Sequence, residues 1–70
     1  MRAKDLIGKE ILDAKAKRVG KVSDLEVNVT TWAVEHLDVK SGFTKGHIVS
    51  LDKIHVVGDK IILNVSEEEL

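Results

Sequence analysis

The sequence predicts a small all-β barrel of five to six short antiparallel strands. Valine and isoleucine are plentiful, proline is absent, and short apolar runs are separated by glycine-bearing turns. Short strands at close spacing with turn signals between them are typical of small barrels and sandwiches. The 70 residues suffice for one domain, which we expect to comprise a core over residues 4–65 and a frayed acidic tail over residues 66–70.

The first two strands come before residue 30. The stretch "DLIGKEILD" predicts a short strand around Gly8, and the polar stretch "AKAKRVG" then turns the chain. The next strand ends in "LEVNV", which alternates apolar and polar residues. Val19 and Val22 do not share a parity, so a strand that buries both needs a β-bulge between Gly20 and Asp24. One face of this strand carries Leu25, Val27 and Val29.

A third and a fourth strand follow. The stretch "NVTTW" predicts a tight reversal, and because Thr30-Thr31 is a poor match to a two-residue turn, a longer loop is the alternative. The third strand, "WAVEHLDV", places Leu37 and Val39 on the face opposite Trp32. The stretch "KSGFTKG" is a loop by composition, and "HIVSL" is the short fourth strand.

The last predicted element is a hairpin. After "DKIHVV", which has room for one helical turn, Gly58-Asp59 separates two apolar runs. Glycine in the first position suits a type II′ turn. A phosphate-binding loop would need several glycines before a helix, whereas here the strand "KIILNV" follows. The residues that we assign to structural turns are Gly8, Gly20, Gly42, Gly46, Gly58 and Asp59.

Charge is segregated along the chain. Residues 1–21 carry seven basic and three acidic residues, and residues 22–70 carry four basic and nine acidic residues, for a net charge of -1. Oppositely charged ends on one small body can attract each other between molecules. The basic patch comprises Lys15, Lys17, Arg18 and Lys21. Aromatic residues are not interleaved with it, so nucleic-acid binding is not favoured.

Composition excludes several classes of protein. The absence of cysteine rules out disulfides and thiolate metal sites. No apolar run approaches the roughly 20 residues that cross a bilayer, and the charged start does not resemble a secretory signal. We therefore expect a cytoplasmic protein without direct membrane insertion. A domain with so small a core and no disulfide to stabilise it favours association with a second copy or with another chain.

The sequence offers no convincing catalytic constellation. Its serines lie in no "GxSxG" context, so a nucleophilic triad is not indicated. His36 and Asp38 have acceptable metal-ligand spacing, but catalytic zinc needs three protein ligands, and spacing does not bring His47 or His55 to them. We expect no catalytic residue, no metal and no cofactor.

Two aromatic side chains are candidates for a protein interface. Phe43 lies in a polar loop, and Trp32 starts a strand. Tryptophan is enriched at binding hot spots. The alternative is that both rings fold back as lids on the core. The residues that we expect at an interface are Trp32, Phe43, Val34 and His36.

Two long stretches resemble a known family, the PRC-barrel domain. The stretch "LIGKEILDAKAKRVGKVSDLEVNV" resembles its opening, and "HIVSLDKIHVVGDKIIL" resembles its close. Together they span about Lys4 to Val65. The family often has a proline in the stretch that here reads "HIVSL", and "NVTTW" replaces a commoner Asp- or Gly-bearing turn. The matching residues are structural, so the resemblance carries over no site residues.

The resemblance implies a small β-barrel that binds rather than catalyses. PRC-barrel domains occur in the photosynthetic reaction-centre H subunit and in a ribosome maturation factor, and stand-alone copies of this length are typical of archaea. Some archaeal members are implicated in cell division, linking to the SepF membrane anchor of the FtsZ ring. The resemblance thus implies an adaptor at the division site, partnered by a SepF-like protein or another PRC-barrel protein.

Two other functions remain open from the sequence. One is an RNA- or ribosome-associated factor that uses the basic patch, for which RNA affinity should fall steeply with added salt. The other is a metal- or small-ligand-binding barrel around His36 and Asp38.

Overall fold

Six strands form one sheet that curls into a half-barrel. The computed structural model describes residues 1–42 and 45–70, with Lys45 described by its backbone alone. The strands are β1 (Glu10–Leu12), β2 (Arg18–Asn28), β3 (Ala33–Ser41), β4 (Lys45–Ser50), β5 (Ile54–Val57) and β6 (Ile61–Leu63). A one-turn helix, α1 (Ala3–Leu6), precedes them, and 3₁₀ helices span Leu51–Lys53 and Glu67–Glu69. The predicted all-β class is confirmed.

The strand order is β4-β3-β2-β1-β6-β5. Neighbours are antiparallel except β1 and β6, which are parallel, with Ile11 opposite Ile61. The parallel pair departs from the fully antiparallel sheet that we expected. Runs of three apolar residues specify a buried strand but not its direction, which is set by how the chain returns to β1.

The core is a single apolar cluster inside the curled sheet. Its buried members are Ile11, Val19, Val22, Leu37, Val39, Val49, Ile61 and Leu63. Two bulges in β2 allow this packing, because Val19 and Ser23 are each an extra residue with no direct cross-strand partner. The bulge at Ser23 lies within the predicted range from Gly20 to Asp24, whereas the bulge at Val19 lies just outside it. Both Val19 and Val22 are buried.

A third irregularity lies in β3, where it pairs with the end of β2. The register between β2 and β3 shifts after Glu26, which leaves Glu35 as the extra residue. The extra residue turns Val34 toward the core, opposite Val27. Val27, near the end of β2, is 39% exposed, and Val29, beyond that end, is 70% exposed. Leu25 and Val27 therefore share one face of β2, as predicted, because their partners Leu37 and Val34 both lie on the core side; Val29 lies beyond the end of β2 and is not part of that face.

The chain begins with α1 rather than a continuous first strand. The Asp5 carboxylate accepts a hydrogen bond from the Arg2 backbone N–H at 3.1 Å, which closes the turn. Gly8 then adopts a φ of 90°, which favours glycine and reverses the chain into β1. The strand predicted over "DLIGKEILD" is therefore confined to Glu10–Leu12.

The predicted turn residues divide into two groups. Gly8 and Gly42 lie at turns, and Gly58 with Asp59 joins β5 to β6. Gly20 and Gly46 lie inside strands instead of turns. The β5–β6 connection spans residues 58–60 with Gly58 outside the positive-φ region, so the predicted type II′ turn is wrong.

Residues 66–70 are packed on the body rather than frayed. Ser66 is buried, and its hydroxyl donates to Glu69 Oε1 at 3.0 Å in a capping box. Leu70 is partly buried against the core cluster. The expectation of a frayed tail is wrong because the capping box forms one 3₁₀ turn that brings Leu70 to apolar surface.

The described residues contain no helix of the length and apolarity that a membrane crossing requires.

Candidate functional site

The loop between β2 and β3 is held mainly by the side chain of Asn28. Its Oδ1 accepts hydrogen bonds from the backbone N–H groups of Thr30 and Thr31 at 2.8 and 3.2 Å. Its backbone carbonyl accepts the Trp32 N–H at 2.6 Å. Short polar side chains that bond the backbone two residues on are a common way to fix a turn. The loop spans residues 29–32 and is thus the longer of the two alternatives that the sequence left open.

This loop presents Trp32 to solvent. Trp32 has a φ of 59°, a left-handed conformation that is rare for a bulky residue. Its side chain is 78% exposed, and that of Val29 nearby in the loop is 70% exposed. The core-lid alternative for Trp32 is therefore wrong. An apolar pair on a fixed turn suits contact with a partner, since little backbone freedom of the loop remains to be lost on binding.

The other predicted interface residues that the structure describes, Val34 and His36, are less exposed than Trp32. Val34 is half-buried against the core, which leaves less of it for a partner. His36 is half-buried on β3, with Nε2 3.8 Å from Asp38 Oδ1. Phe43 lies outside the described residues, so its predicted role stays a prediction.

One residue with a large structural role escaped prediction, namely Asp13 at the end of β1. It is 1% exposed. Its Oδ1 accepts the backbone N–H groups of Lys15 and Lys17 at 2.9 and 2.8 Å. Its Oδ2 accepts the Glu67 N–H at 2.9 Å. Asp13 therefore fixes the β1–β2 turn and fastens residues 66–70 to it. An aspartate just after a strand was the available signal, because aspartate favours turns.

Comparison with known proteins agrees with this architecture. A protein-family model described as the PRC-barrel domain matches residues 1–70. The chain belongs to the PRC-barrel domain family. A search of curated proteins returned no match.

The basic patch of this PRC-barrel domain is partly neutralised by its own acids. Lys17 Nζ lies 3.2 Å from Glu67 Oε1, and Arg18 Nε lies 2.7 Å from Glu10 Oε2. The hydrogen bond to Glu67 raises the pKa of Lys17. Two of the four predicted bases are thus engaged within the chain, which weakens the case for an RNA-binding patch.

Acidic groups also hold the barrel together around the patch. Glu10 bridges Arg18 and Lys60, with its Oε1 3.0 Å from Lys60 Nζ. A hydrogen bond from Lys60, with the nearby charge of Arg18, lowers the pKa of Glu10 despite partial desolvation. His47 Nε2 lies 3.6 Å from Glu67 Oε2, so Glu67 links β4 to the β1–β2 turn. The basic and acidic ends of the chain therefore meet within one molecule.

Metal binding gains no support from this arrangement. His36 and Asp38 share a strand face, as the sequence predicts. Over residues 1–42 and 45–70, no group of three His, Cys, Asp or Glu side chains is placed to hold a metal ion. The pair alone falls short of the ligand number of a catalytic zinc site.

Proposed function

We propose that this PRC-barrel domain is a non-catalytic adaptor that binds a protein partner through the exposed tip of the β2–β3 loop. The observation that carries the proposal is Trp32, which is 78% exposed on a loop fixed by Asn28. A large apolar ring left in water is available to a partner at little conformational cost. Val29 and Val27 extend the apolar surface along the same hairpin.

The sheet supports the same role. Strands β4 and β5 stand at the two ends of the strand order, so their outer edges are available for pairing with another chain. Ile48 on β4 and Val56 on β5 are 67% and 49% exposed. An adaptor needs more than one contact surface, and these edges supply candidates besides the loop.

Family membership favours binding over catalysis. We infer a cell-division component of archaeal type, located in the cytoplasm at the division site. Its partner is a SepF-like protein or another PRC-barrel protein, in a homo- or hetero-oligomer. Support for this finer role comes from the family, from the fixed exposed Trp32 and from the partial neutralisation of the basic patch, which disfavours RNA.

Fluorescence tests the proposal directly, because Trp32 is the only tryptophan in the chain. Titration with a purified SepF-like protein lacking tryptophan is expected to shift the Trp32 emission to shorter wavelength as the ring leaves water. In calorimetry the Trp32→Ser variant is expected to bind at least about tenfold more weakly.

Ile7→Ser is the matched control, because Ile7 is 42% exposed at the end of α1, away from the β2–β3 loop and from both edge strands. It is expected to bind as the wild type does. Tight binding with an unshifted Trp32 emission and full affinity in Trp32→Ser would show that the loop is not the contact surface. Absence of binding to the SepF-like protein and to a second PRC-barrel protein would contradict the proposed partner class.

A further inference from the structure

The outer face of β2, β3 and β4 carries its charges in two rows that run across the strands. In the first, which we call the lysine row, Lys21 lies opposite Lys40, and Lys40 lies opposite Gly46. Leu37 and Val39 point into the core, so the alternate residues of β3 point outward.

The second row lies two residues further along β3 and β4. In this aspartate row, Asp24 lies opposite Asp38, and Asp38 lies opposite Ile48. The bulge at Ser23 keeps Asp24 in line with the row. The two rows are about 7 Å apart, the repeat of alternate residues in a strand.

Each row opposes like charges within the chain. Directly opposed like charges destabilise a sheet. The lysine pair and the aspartate pair therefore each cost stability in a single molecule. His36 Nε2, 3.8 Å from Asp38 Oδ1, offsets the aspartate pair only when the imidazole is protonated.

At the β4 end, the surface has a depression (the hole) beside a projecting side chain (the knob). Gly46 contributes no side chain, and an open depression of about 340 Å³ lies beside it and reaches both rows. It is lined by Lys40 and Gly46 of the lysine row, by Asp38 and Ile48 of the aspartate row, and by Ser23, Val39 and His47. Ile48 projects from the aspartate row and is 67% exposed. The hole in one row and the knob in the other are separated by the same spacing as the charges.

We propose that this face binds a second copy of the chain, face to face. The two copies are related by a two-fold axis that runs parallel to the rows, midway between them, in the plane where the two faces meet. Rotation about that axis turns the second sheet over and places its aspartate row on the lysine row of the first. Lys40 then meets Asp38 of the second copy, and Lys21 meets Asp24 of the second copy. Ile48 of the second copy enters the depression at Gly46.

The same operation makes every contact twice, as an isologous dimer requires. All three positions of each row find a complement of opposite charge or opposite shape. The face is the convex side of a half-barrel, so the contact is small and the dimer is concentration-dependent. Added salt weakens it, because its ion pairs stay partly exposed to solvent on so small a contact.

The dimer deepens the adaptor role and in its purpose rests on that proposed function. Trp32 precedes β3 and lies six residues from Asp38 along the chain, roughly 20 Å at strand spacing. Both copies of Trp32 therefore stay free in the dimer. Two linked loops bind a multivalent partner more tightly than one does, by raising the effective concentration of the second contact.

Charge reversal of whole rows tests the dimer. Lys21→Glu/Lys40→Glu makes both rows acidic, and Asp24→Lys/Asp38→Lys makes both rows basic. Sedimentation velocity from about 1 μM to 1 mM in low salt is expected to show dimerisation of the wild type. Each double variant alone is expected to associate at least about tenfold more weakly. An equimolar mixture of the two is expected to form a heterodimer at wild-type affinity or better.

Single substitutions at exposed apolar positions complete the experiment. Ile48→Ser is expected to weaken dimerisation about tenfold, whereas Ile7→Ser, at an exposed apolar position outside this face, leaves it unchanged. Thermal melts confirm that each variant is folded. A wild type that is monomeric at 1 mM, or double variants that fail to pair when mixed, would overturn the proposed dimer. Trp32→Ser is expected to dimerise normally, so loss of partner binding and loss of the dimer are distinguishable.

Discussion

Asp13→Ala is expected to lower the melting temperature of the domain by at least about 10 °C. The substitution removes the acceptor of three backbone N–H groups at once, two in the β1–β2 turn and one at the start of the C-terminal 3₁₀ helix. Loss of the bond to Glu67 also releases residues 66–70, whose Leu70 packs on the core. A domain of this size has little stability to spare, so the unfolded fraction should be measurable at 25 °C.

Two variants separate the carboxylate from the side-chain volume. Asp13→Asn keeps one acceptor oxygen and places an amide donor against a backbone donor, so we expect a smaller loss than with alanine. Asp59→Ala, in the exposed β5–β6 connection, is the control and should melt within about 2 °C of the wild type. Equal melting temperatures for Asp13→Ala and Asp59→Ala would show that the three hydrogen bonds do not hold the turn.

Acid should weaken the same contact. Burial raises the pKa of Asp13, but the backbone N–H groups that donate to its carboxylate outweigh burial and hold the pKa below its ordinary value of 3.8. Ionised Asp13 therefore stabilises the fold fully above the unfolded-state pKa, and this contribution is lost as the pH falls through the folded-state pKa. Urea titrations at pH 7 and at pH values below about 4 measure the free energy of unfolding of the wild type and of Asp13→Asn. The difference between the two is expected to become smaller at the lower pH values. A difference in unfolding free energy that does not change with pH would contradict this account.

The features predicted well from the sequence are those encoded by short-range patterns. The parity conflict between Val19 and Val22 has one simple resolution in a strand, and the bulge is found there. The single helical turn expected before β5 is the 3₁₀ helix Leu51–Lys53. The hairpin around Gly58 also forms, although with a different turn. Each of these depends on residues that are near one another in the chain.

The features that were missed depend on contacts between distant parts of the chain. The parallel pairing of β1 and β6 joins residues about 50 positions apart. Asp13 bonds Glu67 across 54 positions, which pattern reading does not reveal. The packed tail is a consequence of the same contact. At the candidate site, the tryptophan was predicted, but its left-handed backbone and the role of Asn28 depend on the folded loop.

Gly20→Ala is expected to destabilise the domain by about 2–3 kcal/mol, which corresponds to roughly 10–20 °C in melting temperature. A Cβ at this position would collide with the Lys40 carbonyl oxygen and lie 2.9 Å from the Lys40 carbonyl carbon. Both atoms belong to the backbone of β3, so relief requires the two strands to move apart. Gly20 therefore sits inside β2 because the strands approach there too closely for any side chain.

Gly58→Ala is the control for this prediction, since it makes the same chemical change where there is space. Its new Cβ would meet the nearest atom, Lys60 O, at 4.0 Å, and Gly58 lies outside the positive-φ region. Alanine there restricts the unfolded chain, so stability should stay within about 0.5 kcal/mol or rise slightly. Differential scanning calorimetry of both variants decides the matter. If the Gly20→Ala and Gly58→Ala variants have the same melting temperature, β2 and β3 can separate at little cost. Close approach of the two strands would then not be the reason for glycine at position 20.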